Sequence, residues 1–246
     1  MSKLIGIYEI NLKNLLYKFL LMINFNAMID NYLKKEHRPK GIGRYYPSEI
    51  GTCLRKIWYS YKFPMEVEPD LLKVFEVGNI LHDFVVKVLK SEKNPEVELL
   101  KTEFPFQQQI EDFLISGRID NLILVKLSGK EVLVEVKSTG DVGFVKEASP
   151  HNIVQLQLYM HAIGVHDGFL LYIDKKNLQS KIFEIKYNEA EAEKIIARFK
   201  ALHKFLTIDA IPDAEARAEQ KTLWLCRYCE YFNKCYEETP RSGKWL

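Results

Sequence analysis

Hydrophobic and polar positions along this chain follow two periods, and the switch between them divides it. Residues 1–40 carry a mixed pattern that reads as a helix followed by a charged linker ending at Pro39 and Gly41. Ser48 is placed to cap a helix running through Cys53 to about Tyr61, with Glu49 in its first turn and Pro64 beyond its end. Apolar residues at 71, 72, 74, 75, 81, 84, 85, 88 and 89 predict a longer helix over Asp70–Leu89. Gly78 and His82 lie one turn apart on one face of it, and the glycine permits close approach to a sheet. The period then falls to two. Val97–Phe106, Phe113–Lys126 and Lys130–Lys137 are rich in β-branched and aromatic residues, with Ser128-Gly129 as a two-residue hairpin turn between the last pair. Ser149 and Pro150 read as the cap and first residue of a helix that Gly164 closes. Gly168–Asp174 follows as a strand, and the unit from Glu131 to Asp174 has the length of a right-handed parallel crossover. Ser180–Tyr187 adds a strand and Glu189–Leu206 an amphipathic helix with an acidic first turn. Strands mixed with helices in this order predict an α/β fold.

Composition narrows the class. The chain has 246 residues, 47% hydrophobic and 28% charged, ordinary for a globular protein. A formal charge of +2 supplies no global basic field, so any nucleic-acid contact must come from local patches such as Lys34, Lys35, Arg38, Lys40 and Arg44. The most apolar N-terminal stretch, Leu15–Phe25, is interrupted by Lys18 and Asn24 and is too short to span a bilayer. No small-residue cleavage site follows it, so a cytoplasmic protein without membrane attachment is expected. Four cysteines in a reducing compartment then need a use other than disulfides.

Chemistry enters with Asp120 and Glu135-Val136-Lys137. A two-residue turn at Ser128-Gly129 sets Leu127 opposite Lys130, Asp120 opposite Lys137 and Glu135 opposite Leu122. Asp120, Glu135 and Lys137 would then converge on one face of the hairpin. Two carboxylates beside an ammonium form a hydrolytic site: oxygen ligands suit magnesium or manganese, and the lysine can hold a water or balance charge developing on a phosphate. The competing reading is a solvated strand whose Glu and Lys face water. The cysteines form a second constellation. Cys226-Arg-Tyr-Cys229 with Cys235 gives three thiols at close spacing, and Cys53 is the fourth. One centre held by all four would tie the chain ends together, as an iron–sulfur cluster or as zinc; accidental spacing is the third possibility.

These motifs carry a resemblance. Gly78-Asn-Ile-Leu-His82, Gly117-Arg-Ile-Asp120, Glu135-Val-Lys137 and Gln155-x-x-x-Tyr159 occur in the order found in RecB-like nucleases of the PD-(D/E)xK superfamily. The resemblance implies metal ligation by His82, Asp120, Glu135 and the Val136 backbone carbonyl, catalysis with Lys137, and shaping of the site and positioning of DNA by Gln155 and Tyr159. Gln157 is expected to be a neighbour, and Glu103 a supporting group behind Asp120. One cysteine before the histidine motif and three after Gln-x-x-x-Tyr resemble the CRISPR-associated exonucleases of the Cas-four family. So does Tyr46-Pro-Ser-Glu-Ile-Gly-Thr-Cys53-Leu-Arg-Lys-Ile-Trp-Tyr. That implies a 4Fe–4S cluster on Cys53, Cys226, Cys229 and Cys235.

The expected fold is therefore a restriction-endonuclease-like α/β core, a mixed sheet flanked by helices, with an iron–sulfur cap built from both chain ends. Residues 44–238 would form the nuclease domain, with the cap from 44–64 and 211–238. Residues 1–43 would be an extension, departing from the family pattern and open to translation starts at Met22 or Met28, and 239–246 a tail. The implied activity is manganese- or magnesium-dependent trimming of single-stranded DNA ends, processing prespacers with the CRISPR integrase complex as partner. The rivals are a related iron–sulfur nuclease of repair or of a mobile element, a non-catalytic iron–sulfur DNA-binding subunit, and a zinc-stapled structural protein.

Overall fold

The computed structural model describes residues 23–34, 39–218 and 220–238. Much of the expected helix over residues 1–40 lies outside them, as do Met22, Lys35, Arg38 and the tail 239–246. The chain divides into two compact units, Met1–His37 with Val67–Glu76, and Arg38–Glu66 with Val77–Leu246. In the first, helix α1 (Phe25–Leu33) is capped by the Asn24 side chain, which accepts from the Ala27 N–H at 3.1 Å. Lys73 pairs with Asp30 there at 2.8 Å.

The second unit is built on a six-stranded mixed sheet. Its strands are β1 (Arg44–Tyr45), β2 (Val97–Ile110), β3 (Phe113–Val125), β4 (Lys130–Thr139), β5 (Asp167–Asp174) and β6 (Ser180–Lys186). β2 pairs antiparallel with β3 along its whole length, with an irregularity between Leu99 and Lys101. The other edge of β3 is shared. β1 takes it in parallel at Leu114 and Ile115, and β4 takes it antiparallel from Asn121 to Val125. Ser116 to Asp120 lie in the gap between them. β4 continues in parallel pairing with β5, from Leu133↔Gly168 to Thr139↔Asp174, and β6 closes the order antiparallel to β5.

Helices α2 (Pro47–Ile50), α3 (Leu54–Lys62), α4 (Pro69–Leu89), α5 (Pro150–Ile163) and α6 (Glu189–Thr207) complete the core. Ile50, Trp58, Leu156, Met160 and Phe199 bury against one group of sheet side chains, among them Ile115, Leu133 and Leu170. Leu81 and Val85 of α4 bury against another, Ile123, Val132, Val134, Val136 and Ile173. Of the tail segments α7 (Trp224–Arg227) and α8 (Phe232–Glu238), α8 meets α3, with the Tyr59 hydroxyl donating to Glu238. The Tyr231 hydroxyl donates to the Phe63 carbonyl at 3.0 Å and Arg55 Nε to the Pro212 carbonyl at 2.6 Å.

Three expectations are corrected. The helix capped by Ser48 is two helices: Tyr46 caps the first, Pro47 occupies its first turn, and it ends at Gly51, so that Cys53 caps the second. The β3–β4 turn spans Lys126 to Gly129 rather than two residues. The Gly129 N–H donates to the Val125 carbonyl at 2.9 Å with φ +66°, a left-handed turn that residues other than glycine rarely adopt. Val125 therefore pairs with Lys130 and Leu122 with Leu133, a register moved by two residues. Gly78 is not a close approach, since a Cβ there would meet only Ser138 Oγ, at an ordinary 3.9 Å.

Candidate functional site

The β3–β4 ladder ends at Asn121↔Val134, and beyond it the strands separate. Asp120 fills the opening: its Oδ2 accepts from the Val136 N–H at 2.8 Å, where a backbone carbonyl would otherwise sit. In an extended strand a residue's N–H and C=O point to the same side, so the Val136 carbonyl also faces this opening. His82, from α4, approaches the same oxygen, with Nδ1 3.4 Å from Asp120 Oδ2. Burial pulls the His82 pKa down. The hydrogen bond and charge of Asp120, helped by Glu135, outweigh this and leave it raised.

Glu135 projects from β4 and is 2% exposed. Its Oε1 accepts from Lys137 Nζ at 2.8 Å, and its Oε2 is buried with no hydrogen-bond partner. Burial and the neighbouring Asp120 charge hold its pKa well above the ordinary carboxylate value, against the pull of Lys137. A native protein rarely leaves a buried carboxylate oxygen unmet beside a second carboxylate. The convergence expected from direct cross-strand pairs thus arises instead across separated strand ends.

Helix α5 supplies the other wall. Gln155 Oε1 accepts from Lys137 Nζ at 3.0 Å, and Gln155 Nε2 donates to the Tyr159 hydroxyl at 3.3 Å. The Tyr159 oxygen also interacts with the Arg118 backbone in the β3 gap, and burial raises its pKa. Gln157 lies apart, bridging the Lys186 carbonyl at 2.7 Å and the Asn188 N–H at 2.9 Å, which ties the connection between β6 and α6 to α5. Glu103 is corrected: it is exposed, has φ +44°, and meets Arg118 at 3.5 Å at the surface rather than supporting Asp120. The basic patch is corrected in part: Lys40 pairs with Glu49 and donates to Ser60, and Arg44 Nε donates to Ser116 at 3.1 Å.

Gly117, three residues before Asp120, is glycine for lack of space. A Cβ there would fall 3.0 Å from the Tyr159 hydroxyl and 3.1 Å from Cδ and Cγ of Pro47. Gly117→Ala is expected to cost about 1–3 kcal/mol, the usual range for overpacking. Urea unfolding with an unchanged slope would read this directly.

The four cysteines, none in a disulfide, all line one cavity between α3 and the tail. Arg55 Nη1 and Arg217 Nη1 approach Cys235 Sγ at 3.8 and 3.9 Å. Burial raises the Cys229 thiol pKa. Among the described residues, no group of three or more His, Cys, Asp or Glu is drawn tightly enough to hold a metal ion. At the carboxylate site this agrees with His82, Lys137 and the Val136 N–H each taking a share of the oxygens. The unmet Glu135 Oε2, the nearby Asp120 and a facing carbonyl are nevertheless a donor set that fits a hard dication. No helix among the described residues is long and apolar enough to cross a membrane.

Sequence comparison matches residues 46–236 to the PD-(D/E)XK nuclease superfamily. No curated protein matches the chain. The solved structure of a protein named SSO0001 aligns at TM-score 0.59 and 19% identity, over 92% of this chain and all of that one (100%). At that identity it shows a shared fold. An alkaline exonuclease from Laribacter hongkongensis aligns at TM-score 0.44 and 14% identity, over 68% of this chain and 90% of its own. A phage-related exonuclease from Haemophilus somnus 129PT aligns at TM-score 0.45 and 17% identity, over 62% of this chain and 78% of its own.

Proposed function

This chain belongs to the PD-(D/E)XK nuclease superfamily, and we propose that it is a metal-dependent deoxyribonuclease that trims single-stranded DNA ends at the Asp120–Glu135–Lys137 site. The observation that carries the reading is Glu135: a buried carboxylate with one oxygen unmet, beside a second carboxylate, within reach of a lysine. Asp120, Glu135, His82 and the Val136 carbonyl would hold magnesium or manganese. When bound, the ion supplies a Lewis acid and offsets the charge that burial makes costly.

The chain's own residues do the rest. Lys137 holds its ammonium between Glu135 and Gln155, where it can donate to the attacking water or to a phosphate oxygen as negative charge grows. Water adds to phosphorus and gives up a proton to solvent, the P–O bond to the departing nucleotide breaks, and the departing oxygen takes a proton from solvent. Gln155 aims Lys137, and Tyr159 braces Gln155 against β3. Manganese with linear single-stranded, linear duplex and circular single-stranded DNA, each labelled, tests the assignment. Short products from the linear single strand and an intact circle are expected, whereas equal cutting of the circle contradicts end-trimming.

We further propose a 4Fe–4S cluster on Cys53, Cys226, Cys229 and Cys235. Support comes from the convergence of all four thiols on one cavity. A single zinc ion would take the same four thiols, so acid-labile sulfide measured beside iron and zinc decides between the two. The narrower proposal is prespacer processing beside a CRISPR integrase in the cytoplasm, resting on the resemblance of Tyr46–Tyr59 to that family's opening segment. Co-purification with the integrase tests it.

His82 separates the two candidate metals. Imidazole is softer than carboxylate and favours manganese over magnesium. His82→Ala is expected to lower manganese-supported cleavage by roughly ten- to a hundredfold and magnesium-supported cleavage less. An unchanged ratio of the two rates would return His82 to a structural role.

A further inference from the structure

The loop Ile50–Leu54 lies between the cysteine cavity and the start of α5. Its Cys53 lines the four-cysteine cavity. Arg198 of α6 grips the loop on both sides of Gly51, donating from Nε to the Ile50 carbonyl at 3.3 Å and from Nη2 to the Thr52 carbonyl at 2.9 Å. Glu215 completes the clamp. It accepts from Arg198 at 2.7 and 2.9 Å and from the Leu54 N–H at 2.7 Å.

Between the two gripped carbonyls, Gly51 presses on the first turn of α5. A Cβ on Gly51 would fall 2.6 Å from His151 Nδ1, 2.9 Å from the His151 Cα and 3.0 Å from its carbonyl oxygen. Only glycine allows backbones this close. His151 precedes Gln155 by one helical turn and Tyr159 by two, so the three share one face of α5. Its Nδ1 is buried against the loop without a well-formed hydrogen bond. Burial and then the charge of Lys137 lower its pKa, against a pull upward from the Gly51 backbone, which keeps the ring neutral.

We propose that His151 is a positioning residue: its contact with Gly51 fixes α5 against the clamped loop, and thereby fixes the Gln155 oxygen that holds Lys137. The inference rests on the nuclease reading of Lys137 and goes beyond it. The segment carrying Cys53 and the helix aiming Lys137 become one body, so a disturbance at the cysteine cavity reaches the lysine. Neither partner needs to touch DNA for this.

The test compares Gly51→Ala, His151→Ala and their combination in the full-length protein. Each single change should lower kcat for manganese-dependent cleavage by roughly ten- to a hundredfold, the penalty for misplacing a catalytic group by up to about 1 Å. KM should stay within about twofold. Because both changes break one contact, the double variant should be no slower than the worse single one. Amide hydrogen exchange should quicken in α5 over Val154–Tyr159. The thermal midpoint should move little in His151→Ala, whereas in Gly51→Ala it should also fall, by at least the overpacking cost expected of Gly117→Ala. Multiplicative losses, unchanged α5 exchange, or exchange raised equally across the whole sheet would overturn the proposal. If Gly51→Ala does not fold, His151→Ala alone decides through the kcat–KM split and the exchange pattern. A wild-type protein that leaves DNA uncut refutes the nuclease reading instead, and α5 exchange still decides the coupling.

Discussion

Glu135→Ala is expected to reduce manganese-dependent DNA cleavage by roughly a thousandfold or more, the scale of removing a principal source of transition-state charge stabilisation. Asp120→Ala should do the same. Lys137→Ala should keep metal binding and lose about a hundred- to a thousandfold in kcat, because its contribution belongs to the developing charge. Losses at Glu135 and Lys137 should not multiply, since one side chain holds the other at 2.8 Å. Stability separates a catalytic Glu135 from a structural one. A buried carboxylate with an unmet oxygen beside a second carboxylate destabilises the metal-free fold, so its removal should leave the thermal midpoint unchanged or raised. A structural Glu135 would show the reverse: lower stability with cleavage retained.

The second large effect concerns Cys53. If all four thiols hold one cluster, the centre closes a loop of most of the chain, from Cys53 to Cys226 and beyond. Loop entropy grows slowly with length, and a cross-link closing a hundred-residue loop contributes about 4–5 kcal/mol in the chain-entropy picture. Cys53→Ala is therefore expected to abolish the brown colour, iron and acid-labile sulfide of anaerobically purified protein. The thermal midpoint should fall by on the order of 10 °C. Zinc without sulfide in the wild type, or a full iron complement in the variant, would refute the cluster. The effect on cleavage should follow the loss of fold and of loop position, since hydrolysis moves no electron.

Most elements were legible because their signals were local. The helix opened by Ser149 and Pro150 and ended by Gly164 runs over Pro150–Ile163. The strands flanking it differ from expectation by a residue or two at their ends. What failed was decided by single turns. Ser128-Gly129 looks like a two-residue turn, but Gly129 in the left-handed region closes a four-residue one, moving the register by two. Pairing parity is unchanged by an even shift, but the site forms where the ladder stops, and no residue pattern announces that Asp120 replaces a backbone acceptor for Val136. β1 is two residues long and joins β3 through tertiary contact, so no period could reveal it.

The histidine at position 151 shows what spacing could have given. It stands four residues before Gln155 as Tyr159 stands four after, a helical face visible in the sequence. Its partner, Gly51, is 100 positions away in the chain, and only the fold brings the two together. Glu103 failed for the opposite reason: its place on the strand before Asp120 suggested a supporting carboxylate, but it is exposed, with a positive φ, and pairs with Arg118 instead.

Titration calorimetry of manganese into the wild-type protein and into Glu135→Ala, without DNA, tests the central claim most directly. Cysteine variants at the tail would complicate the isotherm, so both proteins keep all four thiols. The account predicts one saturable site in the wild type that is lost in Glu135→Ala, with both proteins folded to the same thermal midpoint or the variant higher. Equal manganese binding by the two proteins would contradict it.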